Sequence, residues 1–599
     1  MNIPIIAILI LAGACLVAWR AAPRESSEDE FVHGAGQVGM LGALALFGVD
    51  YFTSYFYAAG EMMSALHPHG LQRYAFIAVA GIATANLVFG GLYIYALGVF
   101  RDGGGAYSAS LRYLGAGAGL IVAVVLIQDY VMTIVVSSLS GVDQLLSIFQ
   151  QVGIAWYYHV ALGAGLCIAT WYLTIRGRAE SVSVVVGMLT LFVILTAGMF
   201  IGLVVAAQRG VPPAPAEALV GAAPSLTQAL FHLLTASMKG MVALTGLEAM
   251  SNGIQFVVDE DAPLVAWGRK HVPQLHGVWH LYSGAAGVGR LVQTSFIFYG
   301  AITSTFLTYF SMHFNVFDGT NGMTLVGNLA SIGFGQLDGG WVLYWAYQLL
   351  AVMLLASASL TAFQDLQAVG WRDVAAGNLP EFIAFRNAAG TFTRPVTAGL
   401  VLALLVMLAV RGETTRAVPF YGVGVFLPIT AMALSIRAHV SKTATGNARL
   451  GLVFSATIAA MLGVTVFFGQ IIGKWEEGGW EAAIAIVVVI VLANLLLIAP
   501  AGYRDAAQIR TIIRDKSRVE GHVGSLVTWQ AMRMQEYRYR TLLLLSSAFA
   551  ALGVFRPMQL EKPPAVGSFD AWVLDTMAEN HDMPAKDLPE AGEASGKKH

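Results

Sequence analysis

Gly48-Val49-Asp50-Tyr51-Phe52-Thr53-Ser54-Tyr55-Phe56-Tyr57 lies inside an apolar run over 38–66. A carboxylate at bilayer depth costs about 2.5 to 3.5 kcal/mol on insertion scales, so it persists where it faces a cavity, a partner or a cation. The hydroxyls of Tyr51, Tyr55 and Tyr57, with those of Thr53 and Ser54, place oxygen atoms in the same stretch. Oxygen ligands around one negative charge, with no thiolate or histidine cluster, suit a hard cation. The competing reading is an Asp bonded to a neighbouring helix for packing alone.

The surrounding chain is the scaffold for that acid. Its 599 residues are 57% hydrophobic and 12% charged, against roughly 25% charged in ordinary soluble domains. This composition predicts an all-α polytopic membrane protein. Basic residues are dispersed, which argues against a nucleic-acid partner. Cys15 and Cys167 both sit in apolar runs, so no disulfide framework is expected. Windows long enough to cross a bilayer, about 18 residues or more, begin with an extra N-terminal helix over 3–19. Twelve core spans follow: 38–64, 74–98, 118–149, 156–175, 182–206, 228–258, 291–313, 340–369, 396–410, 417–439, 450–472 and 481–499. The expected organisation is an N-terminal helix and linker (1–37), a transporter domain (38–500) and a small cytosolic C-terminal domain (501–599).

Lys and Arg favour cytoplasmic connections. Alternate connections carry thirteen of them (Arg101, Arg112, Arg176, Arg178, Arg269, Lys270, Arg290, Arg372, Arg386, Arg394, Arg437, Lys442, Arg449), against five (Arg73, Arg209, Arg411, Arg416, Lys474) on the other side. This count predicts a multi-pass protein of a bacterial-type inner membrane, with residue 38 and the C-terminus in the cytoplasm.

Polar groups recur inside the apolar spans. In 118–149, Tyr130, Thr133 and Ser137 are spaced i, i+3, i+7 and share a helical face beside a second acid, Asp129. Any one such hydroxyl commonly bonds back to its own helix or to a neighbour. In 228–258, Thr245-Gly246-Leu247-Glu248 adds a third acid, next to glycine. Glycine inside a membrane helix permits a break, and exposed backbone at that depth is tolerated only along a cavity. The spans 38–64 and 228–258 open two five-helix sets, and each has a glycine, a hydroxyl and an acid near its middle. Such paired interruptions point to a transporter site. Close packing by small residues would explain the glycines but not the acids.

These motifs, with Gly103-Gly104-Gly105-Ala106-Tyr107, Leu360-Thr361-Ala362-Phe363-Gln364-Asp365 and Val418-Pro419-Phe420-Tyr421-Gly422, resemble the amino acid-polyamine-organocation superfamily. Within it they are most similar to the KimA-type potassium:proton symporters. The resemblance covers about 38–500 and a tail of similar length. It implies a LeuT-like 5+5 inverted repeat with the spans 38–64 and 228–258 broken at the midplane. It also implies potassium binding by Asp50, Tyr57, Tyr130, Thr133, Ser137, Thr245 and Tyr421, with Asp129 and Glu248 in cation binding or proton coupling. Potassium and protons are then transported rather than resident, and no cofactor is expected. A homodimer and a cyclic dinucleotide regulator are further implications. Tyr51, Tyr55, Gln364 and Gln367 depart from the family pattern.

An amino acid or polyamine permease of the same superfamily is the alternative, although Asp50 would repel a substrate carboxylate. No nucleophile–base pair, metal motif or phosphate loop points to an enzyme. The long connection 257–291 carries His271, His276 and His280, but no Cys or ordered acid completes a familiar metal site. The apolar run 541–555 is too short and too basic-flanked to span, and fits the core of the cytosolic domain. Residues 586–599 are polar and expected to lack fixed structure.

Overall fold

The computed structural model describes residues 38–100, 103–177, 182–215, 224–375, 391–473 and 479–498, with Asn387, Trp475 and short pieces of 537–547. The expected helix over 3–19, Arg101, Arg178, Arg386 and Lys474, and nearly all of 501–599 lie outside these residues.

What is described is almost wholly helical. A first set comprises α1 (Met40–Thr53), α2 (Tyr55–Leu66), α3 (Ala75–Val99), the short α4 (Gly105–Tyr113), α5 (Ala116–Ile148), α6 (Trp156–Ile175) and α7 (Val182–Gln208). A second set comprises α8 (Leu226–Gly240), α9 (Ala249–Gly253), α10 (Pro263–His271), α11 (His276–Leu281), α12 (Gly284–Phe314), α13 (Leu325–Phe334), α14 (Gly340–Ala375), α15 (Thr393–Ala409) and α16 (Thr414–Thr443). Then come α17 (Gly446–Gly473) and α18 (Gly479–Ile498).

Eight described helices are long and apolar enough to cross a membrane, as befits a multi-pass protein. Three more among the described residues, Leu325–Phe334, Thr393–Ala409 and Gly479–Leu492, are apolar but shorter. The expected span 38–64 is divided between α1 and α2, and in α12 the Gly, Ser, Thr, Gln and His residues dilute the apolar character. Spans of equal rank in the two sets lie against each other: α3 on α12, α5 on α14, α6 on α15. The last helix of the second set, α16, runs along α5 and α17. A single parallel bridge between Val38 and Val257 ties the start of α1 to the chain beyond α9.

The two interruptions differ in kind. After α8 the chain tightens into a 3-10 turn (Met241–Leu244), extends at Thr245 (φ −57°, ψ 149°) and turns left-handed at Gly246 (φ 83°) before α9 begins. Glycine is needed there on two counts. A left-handed φ disfavours any Cβ, and a Cβ on Gly246 would lie 2.8 Å from the Tyr51 nitrogen and 3.1 Å from Asp50 Oδ2. Between α1 and α2, by contrast, Ser54 keeps helical torsion angles (φ −59°, ψ −23°), and its N–H still donates to the Asp50 carbonyl at 3.0 Å. The expected midplane break in 38–64 is therefore only a loosening of the helix. No glycine lies between Asp50 and Tyr57 to allow more. The hydroxyls of Thr53 and Ser54 bond back to the Asp50 carbonyl at 3.2 and 2.7 Å, and the Phe52 carbonyl accepts from the Tyr299 hydroxyl at 3.3 Å.

Candidate functional site

The loosened turn of α1–α2 and the full break after α8 face each other, and the Asp50 carboxylate lies between them. Positions 50, 54 and 57 fall on one helical face by their i, i+4, i+7 spacing. Ser54 Oγ is 2.7 Å from Thr245 Oγ1, the Tyr57 hydroxyl donates to Ser54 Oγ at 2.8 Å, and it lies 3.4 Å from Thr245 Oγ1. From α16, the Tyr421 hydroxyl donates toward both carboxylate oxygens of Asp50, at 3.4 and 3.2 Å. Thr133 Oγ1 of α5 lies 3.1 Å from that phenol and 3.0 Å from the Asp129 carbonyl. Four segments of the bundle thus contribute hydroxyls beside Asp50, and the Tyr421 phenol is the one bonded to its carboxylate. Ser54, Thr245 and Tyr421 are 0%, 0% and 1% exposed, whereas Asp50 itself is only partly buried.

A second cluster forms around Glu248, just before α9. Oε1 accepts from the Ala106 N–H at 2.8 Å and Oε2 from the Tyr93 hydroxyl at 3.3 Å. The glycine run before α4 brings this backbone close: the Gly104 N–H donates to the Asn252 carbonyl at 3.2 Å, and a Cβ on Gly105 would meet Glu248 Oε1 at 2.7 Å. Asn252 Nδ2 donates to the Tyr130 hydroxyl at 2.9 Å. Asp129, next to Tyr130 on α5, lies within Coulombic reach of both Asp50 and Glu248. Its Oδ1 is buried with no hydrogen-bond partner among the described residues.

The structure therefore gathers most of the expected site and divides it. Asp50, Tyr57, Thr133, Thr245 and Tyr421 converge. Tyr130 instead belongs with Glu248, although it shares a helical face with Thr133. Ser137 is buried one turn beyond Thr133, and among the described residues no hydrogen bond joins it to either cluster. Two of the tyrosines expected around Asp50 point elsewhere. The Tyr51 hydroxyl donates to Asn86 Oδ1 at 2.9 Å and lies 3.2 Å from the Tyr55 hydroxyl, while the Tyr51 ring stacks on Phe296 at 4.7 Å. One residue from Asp50 is 100° around the helix, so Tyr51 faces α3 and α12 rather than the carboxylate.

The sequence puts the Ser54 hydroxyl in the oxygen-bearing stretch around Asp50 without assigning it a binding role, and gives Tyr93 and Asn252 none. Ser54 is accessible to the i, i+4 rule. Asn252 follows Glu248 by one helical turn and is accessible to the same rule, whereas Tyr93 reaches Glu248 only through tertiary packing, which no periodicity encodes. In the 257–291 connection, His271 Nδ1 is 2.9 Å from the Trp267 carbonyl and the rings of His276 and His280 are 6.3 Å apart. Among the described residues no group of three His, Cys, Asp or Glu side chains could hold a metal ion.

The chain is 26% identical over 404 residues to the potassium transporter KimA of Bacillus subtilis (strain 168). The alignment covers 66% of this chain and 60% of the relative, so it spans less than two thirds of that protein's length. The likeness read from the motifs is thus carried by a curated transporter. No family model matches. Among solved structures, a mutant manganese transporter of Eremococcus coleocola aligns with 80% of this chain and 97% of its own, at 11% identity and a TM-score of 0.43. MhsT in complex with L-phenylalanine aligns with 75% of this chain and 100% of its own, at 15% identity and a TM-score of 0.41.

Proposed function

We propose that this protein is a secondary active transporter that imports potassium by proton symport. The observation that carries this is the Asp50 carboxylate at the α8–α9 break, held by the Tyr421 phenol beside a buried network of hydroxyls from Ser54, Tyr57, Thr133 and Thr245. A potassium ion sheds part of its water only where fixed oxygens replace it, and one nearby negative charge offsets the cost of leaving bulk solvent. Tyr57, Thr133, Thr245 and Tyr421 supply those oxygens. Ser137 would serve further along the path, and Tyr130, bonded to Asn252 beside Glu248, would act on the proton side. The similarity to a protein named as a potassium transporter supports the same substrate.

In this proposal Asp129 and Glu248 take the proton, the two five-helix sets form a LeuT-like inverted repeat, and the equal-rank packing of their spans supports that symmetry. Homodimer formation, a cytoplasmic C-terminus and a cyclic dinucleotide regulator extend the same reading. A permease for amino acids fits less well, because its substrate carboxylate would meet Asp50 instead of free backbone amides.

The test is uptake of radioactive rubidium into proteoliposomes, with an inward proton gradient, without one, and with a protonophore. Gradient-driven uptake is expected. Uptake of an amino acid or polyamine without rubidium uptake would replace the substrate assignment, and rubidium uptake indifferent to the gradient would remove the proton.

A further inference from the structure

The connection between α9 and α12 carries α10 and α11, which the transport reading leaves unused. Two of its acids are committed to the protein. Asp259 Oδ1 accepts from the Ala285 N–H at 2.8 Å and Asp261 Oδ1 from the Gly284 N–H at 3.0 Å, so both cap the start of α12. Asp261 Oδ2 also lies 2.7 Å from Arg269 Nη1. α11 folds back on α10: the Trp279 indole N–H donates to the Val272 carbonyl at 2.8 Å, and its ring covers Gly268 so closely that a Cβ there would lie 2.5 Å away. Val265 and Gly268 form the buried stripe of α10. The adjoining stripe is exposed: Leu264, Trp267 and His271 recur at i, i+3, i+7, and Trp267 is 53% exposed. Leu275, Val278 and Leu281, every third residue along α11 and the turn before it, are exposed as well. Lys270, His271, His276 and His280 are exposed among these apolar groups, with Glu260 as the opposing charge.

The level of this face follows from the ends of the connection. It leaves α9 beside the Val38–Val257 bridge and enters α12 at Gly284. Arg290 Nη1 donates to the Leu281 carbonyl at 2.6 Å and Arg290 Nε to the Ile94 carbonyl at 3.1 Å, near the end of α3. The start of α1, the end of α3 and the start of α12 are the ends that the basic-residue count assigns to the cytoplasm, and on that assignment α10 and α11 lie at the inner membrane surface. Trp and Leu on one stripe of a short helix, with cations at its edge, form the pattern of an element lying in the interface plane. Its ring sits at headgroup level, and its cations meet a leaflet whose surface is negative.

We propose that α10 and α11 form a docking surface for the anionic phospholipids of the inner leaflet, with Leu264, Trp267 and Val278 at the acyl boundary and Lys270 on headgroup phosphate. The inner-surface level and the excess of cations over unbonded acids both select a lipid surface over a soluble partner. Because α10 follows directly on α9, docking would anchor the inner half of the broken span. The assignment is independent of the ion transported.

The experiment uses the full-length protein in phosphatidylcholine nanodiscs with a rising fraction of either brominated phosphatidylglycerol or brominated phosphatidylcholine. Its signal is the part of the tryptophan quenching that disappears in Trp267→Phe. This component should be quenched at a lower fraction of the brominated phosphatidylglycerol than of the brominated phosphatidylcholine. Lys270→Gln, a change at an exposed position, should raise the half-quenching fraction of the anionic lipid about fivefold, the worth of one cation near an anionic surface. It should leave quenching by the phosphatidylcholine unchanged, and Lys270→Arg should keep the wild-type values. Equal quenching by the two lipids, or no shift in Lys270→Gln, would overturn the assignment to anionic lipid. Quenching of the Trp267 component by aqueous acrylamide and by neither lipid would place the face in water. Protection from every quencher would mean that protein covers it, and either result overturns the docking surface.

Discussion

The Asp50 and Glu248 clusters are both built on a carboxylate beside the α8–α9 break, yet they present opposite faces to a ligand. Glu248 has a donor on each oxygen, the Ala106 N–H at 2.8 Å and the Tyr93 hydroxyl at 3.3 Å. Asp50 has one phenol, shared between its two oxygens at 3.4 and 3.2 Å. Around Asp50 the hydroxyls bond chiefly to one another and to backbone carbonyls. Glu248 is held in place, while Asp50 is left to be completed. The proposed cation site is therefore the one with acceptors to spare, at Asp50.

The largest expected effect breaks the comparison outright. Asp50→Asn keeps volume and hydrogen bonding but removes the charge, and should reduce rubidium uptake by a factor of about 100 or more, the scale of losing one partner of a buried charge pair. Elution on size exclusion should match the wild-type protein. Undiminished uptake in that variant would show that Asp50 is a packing acid.

Next in size is the backbone that brings the two clusters together. Gly246→Ala places a Cβ against the Tyr51 nitrogen in a left-handed conformation. Strain of this kind costs about 1 to 3 kcal/mol. Both thermal stability and uptake should fall, whereas the same change at Gly91, where a Cβ would meet nothing within 4 Å, should leave both near wild type. Equal tolerance at the two positions would remove the need for glycine at the break.

A smaller effect separates the clusters by role. Glu248→Gln keeps the shape but removes the charge, and should slow uptake about tenfold while reducing its response to a proton gradient. Asp129→Asn is the parallel test at the acid with the unpartnered oxygen. Gradient response retained in both variants would take these residues out of proton coupling and leave cation binding at Asp50 untouched.

The sequence disclosed the acids because a carboxylate stands out in apolar surroundings, and for the same reason Asp365 was visible within its motif. It disclosed Tyr57 and Ser54 as partners of Asp50 once helical phase is respected, since 50, 54 and 57 share a face while 51 and 55 do not. The break at Gly246 was legible from glycine and its neighbours. The near-continuity of α1 and α2 was not, because the decisive contacts are tertiary: the Tyr299 hydroxyl on the Phe52 carbonyl and the back-bonding of Thr53 and Ser54. Nor could spacing show that Tyr130 and Thr133 serve different carboxylates. They share a face, but about 4.5 Å of axial rise separates them, enough to set one opposite Asn252 and the other opposite Tyr421.

That division yields the smallest and most discriminating prediction. Thr133 Oγ1 lies 3.1 Å from the Tyr421 hydroxyl, the phenol that reaches Asp50. Thr133→Val keeps the branched shape and removes the oxygen, so Tyr421 loses one of the contacts that orient it. The half-saturating rubidium concentration should rise about three- to tenfold, in line with a hydrogen bond worth about 1 kcal/mol. Tyr130→Phe removes a hydroxyl from the same helical face but from the Glu248 side, where it accepts from Asn252 at 2.9 Å. Its half-saturation should change by less than about twofold, with any effect appearing in the dependence of uptake on pH. Equal losses of affinity in the two variants would mean that one continuous cation path runs along α5. A loss confined to Thr133→Val would mean that the helix face is shared between a cation site and a carboxylate held apart from it.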